Sequence, residues 1–273
     1  MLRQRVLVVV VLLPVGLWAI YWGGWLYALV VAILLGLASW EFGGLFAQAG
    51  LQPARVLMTL ASLALLGAAA LERLDVLPVV LGGATLLLMS YHMLRYERGR
   101  DQAATDFAVS LSGVVYIGLL GAYLIAVRQL PDGLWWVLVV LPSIWVADSA
   151  AYFIGKAWGR HRLSPRLSPK KTWEGYLAGV LAGLLGGAGF AALWNALGAD
   201  ALTLSAARGA WLGLFLSVLA PLGDLGESMV KRQVGAKDSS HLIPGHGGAF
   251  DRVDSWLWAG FLGYFFIRYV FLG

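Results

Sequence analysis

The chain has 273 residues, of which 13% are charged and 60% hydrophobic, with a net charge of +5 and no cysteine. Soluble domains carry about 25% charged and roughly 45–50% apolar residues, so this composition excludes a cytosolic enzyme, a disordered tail and a nucleic-acid-binding module. The missing cysteines exclude a disulfide framework, a cysteine-ligated zinc site and a thiol nucleophile. What remains is an all-α polytopic integral membrane protein.

A helix crossing the hydrocarbon core needs about 20 mostly apolar residues. Nine windows qualify, at 6–22, 25–46, 56–71, 76–94, 107–127, 134–153, 173–197, 211–229 and 255–271. The first begins like a signal peptide, but Leu17–Trp22 lacks a small-x-small cleavage pattern, so it is expected to stay as a span. Nine spans with a cytoplasmic N-terminus put the C-terminus outside and sixteen of the twenty basic residues inside. Only Arg73, Arg128, Arg208 and Arg268 fall on the other side, as the positive-inside rule requires. Segments 154–172 and 228–254 are then cytoplasmic. In the seventh window Gly175, Gly179, Gly183 and Gly187 form a stripe that lets a helix approach closely, within or between subunits.

The two halves differ in chemistry. Residues 1–133 read as about five packing helices. Glu41, late in its window, is expected to reach the interface, and Tyr91 and His92 are expected to mark one. In residues 134–273 several carboxylates lie inside the apolar windows. Asp148 lies in an apolar run, and Asp224, Glu227 and Ser228 share one helical face at i, i+3 and i+4. A carboxylate in a membrane helix costs roughly 2.5–3.5 kcal/mol, so it faces a partner or a polar cavity. A buried pair with Lys231 would satisfy Asp224. The two cationic segments nearby favour a site instead.

Six basic and no acidic residues lie between Lys156 and Lys171. They can rest on anionic headgroups, or the Ser168-Pro169 turn and the Lys170-Lys171 pair can present phosphate-binding donors. Segment 228–254 carries four cations, three carboxylates and two histidines among glycines. Gly245, Gly247 and Gly248 let backbone N–H groups approach an anion. Asp251 and Asp254, at i and i+3, can offer oxygens to one cation, and Mg²⁺ takes one or two carboxylates plus substrate phosphates. His246 fits a metal ligand, a proton carrier or a turn cap equally well. No G-x-x-x-x-G-K-[ST] loop, H-E-x-x-H or G-x-S-x-G motif occurs.

This last segment resembles the signature of the CDP-diacylglycerol synthase, or phosphatidate cytidylyltransferase, family. The matching positions are Ser228, Val230, Lys231, Arg232, Lys237, Asp238, Ser240, Ile243, Pro244, His246, Gly247, Gly248, Asp251, Arg252 and Asp254. Ala249 departs from the larger apolar residue usual there. Asp148-Ser149-Ala150-Ala151-Tyr152 and Ser168–Gly175 also look like family motifs. The resemblance implies the reaction CTP + phosphatidate → CDP-diacylglycerol + pyrophosphate, with Mg²⁺, in phospholipid biosynthesis. It further implies a homodimer among membrane lipids, in a bacterial inner membrane, with its active site toward the cytoplasm.

Phosphatidate is already a nucleophile, so the reaction asks chiefly for positioning and charge stabilisation. On the resemblance, Asp224, Asp251 and Asp254 are the expected metal ligands. Lys231, Arg232, Lys237 and Arg252 would hold the triphosphate, and Lys170 and Lys171 the phosphatidate headgroup. Ser168, Ser228, Asp238, His246, Gly247, Gly248 and Asp148 complete the expected substrate contacts. The same charges would also suit a CTP-using polyprenol kinase. An anion transporter is the reading from another class, but the polar residues crowd one half of the chain.

Overall fold

The computed structural model describes residues 2–199, 201, 203–240 and 247–273. Eleven helices are present among them: α1 Leu2–Trp22, α2 Gly24–Gln48, α3 Arg55–Ala70, α4 Leu77–Glu97, α5 Ala103–Gly113, α6 Leu120–Gln129, α7 Gly133–Trp158, α8 Trp173–Ala196, α9 Ala206–Leu219, α10 Pro221–Gln233 and α11 Phe250–Phe266. A π-helical stretch, Val114–Leu119, joins α5 to α6, and another, Ile267–Phe271, follows α11. Six stretches are long and apolar enough to cross a membrane: Gly24–Gln48, Leu74–Glu97, Ala103–Gln129, Gly133–Trp158, Trp173–Ala196 and Ala206–Gln233. The windows at 6–22, 56–71 and 255–271 fall on α1, α3 and α11, which are outside that set. The protein is an α-helical integral membrane protein.

The chain divides into two compact units, one of Met1–Ala126 with Val230–Val253, the other of Val127–Met229 with Asp254–Gly273. In the first, Leu35, Leu45, Met58, Leu65, Leu88, Ile117 and Phe250 are fully buried. Its polar core differs from the sequence expectation. His92 is buried rather than interfacial, with Nε2 3.2 Å from Ser110 Oγ. The neighbouring Asp106 accepts from Arg100 Nε at 2.7 Å and from Gln52 N–H at 2.7 Å, tying two interhelical turns together. These partners lie far along the chain, so local polarity alone suggested an interface.

In the second unit the glycine stripe of α8 is buried along its length. A Cβ on Gly175 or Gly179 would meet Ala151 or Ala147 of α7; one on Gly183 or Gly187 would meet Ser217, Gly213 or Gly209 of α9. The stripe therefore serves packing inside the chain, on two neighbours. Pro142 of α7 has no N–H to give the Leu138 carbonyl. Trp194 Nε1 donates to that carbonyl at 3.1 Å instead.

The all-α expectation is exceeded at one place among the described residues. Arg162–Ser164 (β1) and Ser168–Thr172 (β2) form an antiparallel hairpin. Thr172 ends β2 and caps α8, its Oγ1 accepting from Gly175 N–H at 3.2 Å. His161 Nδ1 lies 2.6 Å from Glu174 Oε1, and Trp173 N–H donates to His161 O, closing the base of the hairpin.

Candidate active site

Strand geometry separates the two lysines that the sequence presents as a pair. Successive side chains on a strand point to opposite faces. Lys170 is exposed, whereas Lys171 turns toward α10 and places Nζ 2.6 Å from Asp224 Oδ2. Asp224 begins the hydrophilic run of α10, just after Pro221 interrupts the preceding helix. Its carboxylate also lies 3.4 Å from Ser228 Oγ, one turn on.

Glycine sets how near α11 can come. A Cβ on Gly223 would stand 2.6 Å from both Asp254 O and Trp258 Cδ1. This close approach brings Asp254 beside the carboxylate face of α10. Oxygens of Asp224, Glu227 and Asp254 lie within 4.8 Å of one another, with Glu227 only 2% exposed. Asp148 on α7 is in electrostatic reach of Lys171, Asp254 and Asp224. Three carboxylates within 4.8 Å of one another repel strongly. The donor set is all oxygen, which suits a hard divalent cation such as Mg²⁺.

Asp251, the other expected ligand, stands in a different set of bonds. Its side chain is 5% exposed, with Oδ1 2.7 Å from Lys231 Nζ. Oδ2 accepts from Ser239 N–H, Ser239 Oγ and Gly248 N–H, each at 2.8 Å. Gly247, at φ 81°, occupies backbone space that favours glycine, and a Cβ there would strike Asp251 Oδ2. The anion that Gly248 N–H approaches is thus the chain's own. Arg232, Lys237, Asp238 and Arg252 are exposed, and Ser168 is half-buried. His246 lies outside the described residues.

Two acidic residues stand out beyond the expected site set. Glu227 belongs to the face read from the i, i+3, i+4 spacing, and it completes the carboxylate group. Glu41 does not reach the interface. It is buried, accepts from Ser240 Oγ and Phe250 N–H, and lies 3.0 Å from Ser239 Oγ.

The sequence matches the model of the cytidylyltransferase family over residues 3–270, nearly its whole length. The chain belongs to the cytidylyltransferase family. Among its relatives, the phosphatidate cytidylyltransferase of Synechocystis sp. is 33% identical, over 97% of this chain and 96% of that protein. The phosphatidate cytidylyltransferase of Brucella suis is 34% identical, over 97% and 93%. That of Pseudomonas aeruginosa is 36% identical over 93% of each chain. The family assignment agrees with the resemblance read from segment 228–254.

Proposed function

We propose that this protein transfers the cytidylyl group of CTP to phosphatidate, releasing pyrophosphate and giving CDP-diacylglycerol. The observation that carries the reading is the group of Asp224, Glu227 and Asp254 with Lys171 bound to its edge, in a chain of this family. A phosphatidate phosphate oxygen attacks the α-phosphorus of CTP, and the bond from that phosphorus to the β-phosphate oxygen breaks. No side-chain nucleophile is needed. The requirement is to hold two polyanions together and to stabilise the departing pyrophosphate.

Asp224, Glu227 and Asp254 are the residues we assign to Mg²⁺. When bound, the ion supplies charge neutralisation for the triphosphate. Lys171 orients Asp224 and adds positive charge where phosphate groups meet. Exposed Lys237, Arg232 and Arg252 offer donors to the triphosphate, and Lys170 to the phosphatidate headgroup. Asp251 holds Lys231 in place. A polyprenol kinase would need the γ-phosphate of CTP, and the relatives named above carry another name.

The reading includes nine crossings, a cytoplasmic N-terminus and a site facing the cytoplasm, where CTP is made. Its support is the distribution of the basic residues and the presence of a helix at every one of the nine windows. The test is pyrophosphate release by the detergent-purified protein. Release should require CTP, phosphatidate and a divalent cation together. Equal release without phosphatidate would refute the transfer.

A further inference from the structure

Glu41 lies on α2, far in sequence from every motif described above, yet the residue is only 7% exposed. Ser240 Oγ donates to its Oε1 at 2.6 Å, and Phe250 N–H donates to Oε2 at 2.9 Å. Ser239 Oγ stands 3.0 Å from Oε2 and 2.8 Å from Asp251 Oδ2, joining the two carboxylates through one hydroxyl. Apolar contacts fix the same place. The Phe250 ring meets Phe42 edge-on at 5.5 Å and Tyr116 at 6.2 Å. A Cβ on Gly248 would run into Glu41 Oε2 and Ser239 Oγ, so a side chain at that position is incompatible with this approach.

A buried carboxylate is costly unless donors replace its water, and charge-assisted hydrogen bonds of this kind are strong. These donors belong to two points of segment 228–254. Ser239 and Ser240 follow Lys237 and Asp238; Phe250 precedes Asp251 and Arg252. We propose that Glu41 is a positioning residue for cytidylyl transfer. It fixes positions 240 and 250 and thereby sets where the flanking cations meet the nucleotide. The kinetic part rests on the function proposed above; the tether itself does not.

Hydrogen exchange and steady-state kinetics on the full-length detergent-purified protein separate the two. In Glu41→Ala, amides of 236–240 and 247–252 should exchange about tenfold faster or more, as expected for losing bonds to a charged acceptor, while α7 and α8 keep wild-type rates. KM for CTP should rise by about the same factor, with KM for phosphatidate within roughly twofold of wild type. Glu41→Gln, which keeps one acceptor oxygen, should recover part of both effects. Ser240→Ala should show the same pattern more weakly, and it carries the test if Glu41→Ala does not fold. Faster exchange with an unchanged KM for CTP would make Glu41 merely structural and overturn the proposal. Unchanged exchange in both variants would remove the tether. A wild-type protein that does not consume CTP would refute the proposed reaction, whatever the exchange result.

Discussion

Lys171 and Asp224 are joined at 2.6 Å, from the second strand of a short hairpin to the first turn of α10. The pair is open, with side-chain exposures of 27% and 39%. Ion pairs this exposed contribute about 0–1 kcal/mol. Stability therefore does not explain the contact, whereas placing a cation beside three carboxylates does. Lys171→Met should lower transfer at least about tenfold while shifting the melting temperature little, because the lost term is charge at the reacting groups. Activity per folded molecule and a melting curve check this together.

The carboxylate group makes its own expectation. Mg²⁺ should raise the melting temperature of the wild-type protein, by an amount equivalent to about 2.7 kcal/mol at a hundred times its dissociation constant. Asp224→Asn, Glu227→Gln and Asp254→Asn should each abolish that shift. Their effects on turnover should be far from additive, since one missing ligand disables the unit. A full Mg²⁺ shift in any of the three would remove that residue from the ligand set.

Asp251→Asn should behave differently. It removes the charge of the carboxylate 2.7 Å from Lys231 Nζ in a nearly buried place, and breaking such a pair costs about 3 kcal/mol. The variant should melt earlier and yet retain the Mg²⁺ shift. Loss of the shift without loss of stability would make Asp251 a metal ligand, as the family signature suggested.

Several of these features are legible in the sequence, and the reasons differ. Apolar windows and the glycine stripe are local and periodic, so each points directly to a helix or a packed face. The i, i+3, i+4 spacing of Asp224, Glu227 and Ser228 shows the carboxylate face, but the family signature begins at Ser228 and leaves Glu227 out. Lys170 and Lys171 are adjacent letters; only the pleat of β2 sends one outward and the other to Asp224. Glu41 illustrates the limit most clearly. Its partners lie 198, 199 and 209 residues away, and no local pattern encodes such a pairing.

Packing of α8 can be tested with a paired control on one helix. Gly183→Ala places a methyl against Ser217 and should cost about 1–3 kcal/mol through overpacking. Gly189 has nothing within 4 Å of an added Cβ. Gly189→Ala should be neutral or gain up to about 1 kcal/mol from helix propensity. Equal melting temperatures would show that the stripe has room to spare.

Orientation is accessible because the chain has no cysteine of its own. Single cysteines at the exposed positions Arg166 and Gln233 should be protected from an impermeant thiol reagent in intact cells. One at exposed Ala196, at the other end of α8, should be labelled. The reverse pattern would invert the topology.

The most direct measurement of the central claim follows each phosphate of CTP. Purified protein is given phosphatidate with CTP labelled at either the α- or the γ-phosphate, and the lipid and aqueous products are separated. Cytidylyl transfer sends the α-label into CDP-diacylglycerol and the γ-label into pyrophosphate. Recovery of the γ-label in the lipid would make the protein a kinase, and recovery of neither label there would contradict the account.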